Sequence, residues 1–134
     1  MIRILAAGAL AACLALPLQA QDRGAIESTI RAQMEAFLAR DVDEAFAYAS
    51  PTIRQLFGTP ENFGRMVQQG YPMVWDNREL RFLGIRPEAG GYVQSLILRD
   101  PQGVTHVLDY LMIETDAGWQ INGVSIVPAP GVGV

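Results

Sequence analysis

The sequence predicts an α+β fold in which N-terminal helices pack on a four-stranded antiparallel sheet. Apolar residues recur at helical spacing in the first half of the chain, whereas four later segments are rich in β-branched and aromatic residues. The links between those segments, RPEAGG, PQG and DAG, have the composition of turns. Because short links join antiparallel neighbours, we expect the strands to pair in sequence order.

The first twenty residues have the layout of a secretory signal peptide. Arg3 precedes an apolar run over residues 4–16, which is followed by Pro17 and by the small residue Ala20. The run is too short to span a bilayer, which takes about 20 apolar residues. We therefore expect cleavage between Ala20 and Gln21, a periplasmic or secreted product, and no membrane attachment after cleavage.

Cys13 offers an alternative export signal. It follows the small-residue run in LAAC, the pattern that precedes a lipid-modified cysteine, but the next residues, LALPL, stay apolar where a lipoprotein should turn polar. Removal of residues 1–20 also removes Cys13, the one cysteine of the chain. The mature protein is then expected to have no thiol chemistry and no disulfide, so that a hydrophobic core must hold it together.

The charge of the chain argues against nucleic acid as a partner. Lysine is absent, and after loss of the signal nine arginines face fourteen acids, a net charge of −5. No basic run interrupts this acidic balance, and nucleic-acid binding needs clustered cations to neutralise phosphates. We therefore expect no nucleic-acid partner.

The first two helices follow from apolar periodicity and capping. Residues 25–40 should form a helix whose apolar face carries Ile26, Ile30, Met34, Phe37 and Leu38. Asp41 should cap a shorter helix over VDEAFAYA, with Glu44 at its third position. The acids of this segment are therefore interpreted as helix-start residues and not as cation ligands.

Two further helices are predicted in SPTIRQLFGTPENFGRMVQQG. Ser50 and Thr59 are each followed by proline, which suits the first helical position, and Gly58 and Gly70 are suited to the helix ends. Gly64 lies in the interior of the second helix, where glycine costs about 1 kcal/mol relative to alanine. We expect either a close backbone approach or a gap beside Gly64.

The four strands are predicted over residues 79–85, 92–100, 104–115 and 119–127. On the third strand one face carries Val104, His106, Leu108, Tyr110 and Met112. The alternate residues, on the other face, are also largely apolar. Since a solvated face would be more polar, we expect one face to meet the helices and the other to meet a second copy in a homodimer or the strongly bent sheet itself.

Two segments, AFAYASPTIRQLFGTPENFGRMVQQGYPMV and YLMIETDAGWQINGV, resemble the secreted bacterial family catalogued as domain of unknown function 4864. The element order resembles the nuclear-transport-factor-2-like superfamily, whose cystatin-like cone is shared with ketosteroid isomerase. The resemblance implies a single cone-like domain over residues 21–127, with a curved sheet, a conical pocket and no known activity. Residues 128–134, PAPGVGV, have no periodicity and are predicted to be a flexible tail.

Pocket-lining candidates come from the aromatic residues and the one histidine of the chain. We select Tyr48, His106, Tyr110 and Trp119 as ligand-binding candidates. No catalytic residue is assigned, and the sequence lacks nucleotide, hydrolase and metal-ligand motifs, so no metal or cofactor is expected. The predicted function is an exported, non-catalytic module that binds a small apolar ligand or a periplasmic protein.

The alternative is a cofactor-independent enzyme, isomerase-like or dehydratase-like, that uses the cone as a reaction chamber. By the resemblance, such a site needs a carboxylate base and a tyrosine in one apolar cavity. Asp109 and Tyr110 are adjacent on a predicted strand and should point to opposite faces. The position of Asp109 therefore distinguishes the two hypotheses.

We predict that the exported protein begins at Gln21. Intact-mass analysis of protein recovered from the periplasm or the medium should give the mass of residues 21–134. A species that retains residues 1–20, or one that carries lipid on Cys13, would contradict this prediction.

Overall fold

A computed structural model describes residues 18–128. Five helices precede a sheet of four strands: α1 Ala20–Leu38, α2 Val42–Ala47, α3 Pro51–Phe57, α4 Pro60–Gly70, α5 Pro72–Trp75, β1 Arg78–Glu88, β2 Gly91–Arg99, β3 Thr105–Thr115 and β4 Gly118–Val127. All neighbouring strands are antiparallel, in the order β1-β2-β3-β4. The predicted α+β class and sequential pairing are confirmed. Most of the predicted signal, residues 1–17, and most of the predicted tail, residues 129–134, lie outside the described residues.

The predicted helix starts are present with their side-chain caps. The side chains of Asp41, Ser50 and Thr59 accept hydrogen bonds from backbone N–H groups three residues further on, at 3.1, 3.3 and 3.2 Å. Helix α3 ends at Gly58, whose φ of +78° lies in the left-handed region that glycine tolerates. These boundaries are therefore set by local chemistry.

Two helical segments differ from the sequence prediction. Helix α1 begins at Ala20, five residues before the predicted start. The prediction missed these first turns because they are polar and show no apolar periodicity. The early turns are nonetheless attached to the sheet, since Asp22 Oδ1 accepts a hydrogen bond from Trp119 Nε1 at 3.4 Å. The link YPMVWDN contains the single-turn helix α5, which buries Met73 and Val74 and was too short to show a helical period.

The sheet has three irregularities in register. Strand β1 has two register shifts against β2, and β4 has one against β3, next to Met112. Such bulges bend a strand and increase its twist. The buried side chain of Gln94 stabilises the β1 irregularity, because its Nε2 donates to the carbonyls of Leu83 and Gly84 at 3.0 and 3.3 Å.

The helices cover one face of the sheet and leave the other open. On β3 the covered face carries Leu108, Tyr110 and Met112, all fully buried, as the predicted alternation requires. The open face carries partly exposed residues from the same strand, among them Val107 and Leu111. In the part of the chain that the structure describes, no helix is long and apolar enough to span a bilayer.

Phe63 of α4 is the centre of the helical layer. Its ring centroid lies 5.9 Å from Phe37 of α1, 5.4 Å from Phe46 of α2 and 5.9 Å from Phe57 of α3. Separations of this size are favourable for aromatic pairs. One residue on, Gly64 faces Val42, and a Cβ added to Gly64 would lie 2.6 Å from Val42 Cγ1. Of the two alternatives expected at Gly64, the structure shows the close approach.

We predict opposite effects for alanine at two helical glycines. Gly64→Ala should lower the free energy of unfolding by about 1–2 kcal/mol, because the overpacking cost against Val42 exceeds the gain in helix propensity. Gly24→Ala is the matched control: Gly24 is exposed in α1 with no atom near the added Cβ, so the change should stabilise by up to about 1 kcal/mol. Urea denaturation measures both effects, and a stabilising Gly64→Ala would contradict the close approach.

Candidate functional site

A cavity of about 220 Å³ lies between the helical layer and the sheet. Helices α3 and α4 form one side, and β3 and β4 form the other. The wall is mostly apolar and includes Phe37, Ala49, Ile53, Leu56, Phe57, Phe63, Met66, Val67, Val74, Ile121 and Val124. A concave, mainly apolar cavity with few polar groups is the typical form of a small-molecule site.

Helix α3 is the most exposed element of the cavity wall. None of its residues is buried, and Leu56, which lines the cavity, is 71% exposed. The helix is attached at its N-terminal end, where Ser50 N–H donates to the carbonyl of Ile121 at 2.8 Å and Ser50 Oγ donates to Asn122 Oδ1 at 2.7 Å. Among the elements of the wall, α3 is therefore the one with the least buried side chains.

Two tyrosines line the cavity, and their hydroxyl groups have different surroundings. Tyr71 donates its hydroxyl to the carbonyl of Val124 at 3.1 Å. The side chain of Tyr110 is fully buried, and its hydroxyl has no hydrogen-bond partner among residues 18–128. Burial, and to a lesser degree the nearby Tyr71, raises the pKa of Tyr110 far above its usual value. The Tyr110 hydroxyl therefore stays protonated and can donate.

Gln33 is the other buried polar side chain of the lining. It extends from α1, and its Nε2 donates to the carbonyl of Ala45 at 3.0 Å. This hydrogen bond fixes α1 to α2 beside the cavity. The titratable residues that line the cavity, within the described chain, are Tyr71 and Tyr110.

Of the four residues selected from the sequence, Tyr110 lines the cavity and Tyr48 and Trp119 lie elsewhere. Tyr48, at the end of α2, donates its hydroxyl to Glu44 Oε1 at 2.7 Å, and this bond together with partial burial raises the pKa of Tyr48. Trp119 packs edge-on against Tyr92, with ring centroids 6.0 Å apart, underneath α1. The Tyr48 side chain therefore stabilises the end of α2, the Trp119 side chain stabilises the contact between α1 and the sheet, and neither lines the cavity.

His106 also lies outside the cavity, although it shares the covered sheet face with Tyr110. Its Nε2 lies 2.9 Å from Asp100 Oδ2, at the turn between β2 and β3. The His106 hydrogen bond, together with the backbone N–H groups of Gln102 and Val104, lowers the pKa of Asp100. His106 therefore stabilises a turn at the end of the sheet.

Asp109 lies on the open face, opposite to Tyr110. Its carboxylate accepts from Ser95 Oγ at 2.6 Å and from Arg86 at 2.9 Å. Partial burial alone would raise the pKa of Asp109, but the bonds from Ser95 and Arg86 outweigh burial and lower it. Asp109 is therefore not available as a base in the cavity. No group of three His, Cys, Asp or Glu side chains between residues 18 and 128 is placed to hold a metal ion.

The sequence predicted most of the elements that form the cavity wall, but not the cavity between them. Helices α3 and α4 were predicted, and their apolar residues line the cavity although Leu56 is also largely exposed, but a periodic pattern cannot distinguish a filled core from a cavity. Tyr71 was not selected from the sequence, because a tyrosine is more often a core aromatic with one polar group than a ligand contact. Its position before Pro72 marks the start of α5.

Solved structures of similar shape define the fold as cystatin-like. A domain of unknown function with a cystatin-like fold from Nostoc punctiforme is 17% identical, with 86% of this chain and 82% of that chain covered and a TM-score of 0.58. A SEC-C motif-containing protein from Rhodopseudomonas palustris is 18% identical, with 76% of this chain and 78% of that chain covered and a TM-score of 0.55. At this identity the likeness establishes the fold alone.

The chain belongs to the family described as a domain of unknown function, DUF4864, which it matches over residues 19–134. No curated protein matches the chain.

Proposed function

We propose that this protein binds a small apolar ligand in the cavity beneath α3 and α4, without converting it. The observation that carries the proposal is the cavity itself, whose wall is apolar and comes from both layers of the fold. Burial of a ligand's apolar surface there would contribute about 25 cal/mol per Å².

The chemistry of the wall favours binding over the enzymatic alternative. A proton-transfer enzyme most often uses a carboxylate or histidine within hydrogen-bond reach of its substrate. The nearest candidates by sequence, His106 and Asp109, are engaged by Asp100 and by Arg86 with Ser95. The isomerase-like or dehydratase-like hypothesis therefore has no base to assign among the described lining residues.

The size of the cavity limits the ligand. An engineered cavity of about 150 Å³ in another protein accommodates benzene. At about 220 Å³, the present cavity has room for one ring with a short substituent, or for a chain of similar volume. A ligand of roughly ten non-hydrogen atoms fits this space, and larger molecules would have to extend past α3.

We propose that binding takes place in the periplasm or outside the cell, because the first twenty residues have the layout of a signal peptide. The element order also supports placing the family within the nuclear-transport-factor-2-like superfamily. A periplasmic protein that presents an apolar side chain to the cavity is the second candidate occupant. It is favoured by the 71% exposure of Leu56 at the rim.

Filling the cavity should abolish binding. We predict that Val124→Phe, which adds a ring to the β4 wall, prevents ligand-induced stabilisation across a library of small apolar compounds. For the native protein, a ligand at 100 times its Kd should raise the unfolding free energy by about 2.7 kcal/mol and Tm by roughly 10 °C. Differential scanning fluorimetry measures the shift.

Val104→Phe is the matched control for Val124→Phe. Val104 lies before β3, is 52% exposed and does not line the cavity, so this variant should bind as the native protein does. If Val124→Phe and the native protein respond equally to every compound that binds, the cavity is not the site. If no compound shifts the native Tm, small-molecule binding loses its support.

We also propose that two copies pair through the open sheet face. This face exposes Val107, Leu111 and Ile113 in part, around the Arg86–Asp109 ion pair. We predict that light scattering at micromolar concentration gives twice the monomer mass, and that Leu111→Asp gives the monomer mass because it buries an unpaired charge at the interface. A monomer mass for the native protein would contradict the pairing.

A further inference from the structure

The unpartnered hydroxyl of Tyr110 gives the apolar cavity one chemical preference. A tyrosine hydroxyl is a donor and an acceptor, and buried tyrosines usually have a hydrogen-bond partner. Tyr110 is fully buried and lines the cavity, yet its hydroxyl has no partner among residues 18–128. The hydroxyl of Tyr71, in the same wall, already donates to the carbonyl of Val124. Because this hydroxyl has almost no accessible surface, a bound molecule can use it as a donor only by shifting the side chains packed around it.

We propose that the cavity selects uncharged ligands that carry one hydrogen-bond acceptor, such as a ketone or aldehyde oxygen, on an apolar body of about ten non-hydrogen atoms. The oxygen accepts the Tyr110 hydroxyl, and the apolar body fills the space toward α3. This inference rests on the proposed function, since it assigns a ligand class to the same cavity.

The same wall disfavours ionised ligands. A carboxylate would lose its hydration on entering the cavity, and a single hydroxyl replaces little of that hydration. No arginine, lysine or histidine lines the cavity within the described chain to offset this loss. An ammonium ligand would also lose its hydration without a counter-charge, because no aspartate or glutamate lines the cavity within the same residues. Burial of either charge without a counter-charge costs several kcal/mol, which exceeds what the one hydrogen bond returns.

Three probes of similar size separate the contribution of the apolar body to affinity from that of the hydrogen-bond acceptor. Ethylbenzene has the apolar body alone, acetophenone adds a ketone oxygen, and benzoate replaces the ketone by a charged carboxylate at neutral pH. Comparing each probe between native protein and a variant cancels the different costs of removing the probes from water. The change in affinity on mutation then reports the hydrogen bond itself.

The test is a calorimetric titration of the three probes into native protein and into Tyr110→Phe. We expect Tyr110→Phe to weaken acetophenone about tenfold and to leave ethylbenzene within about twofold. Benzoate should bind the native protein at least about tenfold more weakly than acetophenone. Because the variant removes a hydroxyl that has no partner in the described fold, its unfolding free energy should be maintained or increased.

Tyr48→Phe is the matched control, since the Tyr48 hydroxyl bonds Glu44 outside the cavity, and it should leave all three affinities unchanged. If Tyr110→Phe weakens acetophenone and ethylbenzene equally, or neither, the acceptor preference is overturned and cavity binding stands. If benzoate binds as tightly as acetophenone, the preference for uncharged ligands is overturned. If neither ethylbenzene nor acetophenone binds the native protein, the proposed function fails and this inference fails with it.

Discussion

The packing of Phe63 against three other phenylalanines holds the helical layer in one arrangement. Those partners come from α1, α2 and α3, so one side chain links four helices that are close in sequence but have short individual interfaces. Each aromatic pair contributes about 0.5–1.5 kcal/mol beyond the burial of its area. The arrangement favours glycine at position 64, because a larger residue there would force Val42 or α4 to shift. The cavity exists because this cluster holds α3 and α4 above the sheet.

Local chemistry made most of the fold predictable. A serine or threonine before proline defines a helix start within a residue or two, and the period of apolar residues separates helix from strand. The prediction was wrong where an element carries no such signal. The first turns of α1 are polar, and α5 has one turn, so neither has an apolar period of its own. Both elements are held by contacts with distant residues, such as the bond from Trp119 to Asp22.

The site was less predictable than the fold, because strand alternation gives the face of a residue and not its depth. Tyr110 and His106 share a face, as predicted, but they lie four residues apart along β3. Tyr110 lies in the cavity wall, whereas His106 lies at the end of the sheet beside Asp100. For Asp109, strand alternation was enough. Asp109 directly precedes Tyr110 on β3, so it was predicted to lie on the opposite face, where it bonds Arg86 and Ser95.

The two cavity tyrosines differ in whether their hydroxyl groups have a hydrogen-bond partner. Tyr71 satisfies its hydroxyl on a backbone carbonyl of β4, so its polar atom stabilises the fold. The Tyr110 hydroxyl costs about 1–3 kcal/mol when it is buried without a partner, and phenylalanine would fill nearly the same volume without that cost. Helix α3, which has no buried residue, is the most exposed element of the cavity wall. A ligand that filled the space and accepted from Tyr110 would recover both the unfilled volume and the unpaired donor, so the structural cost and the proposed binding energy arise from the same atoms.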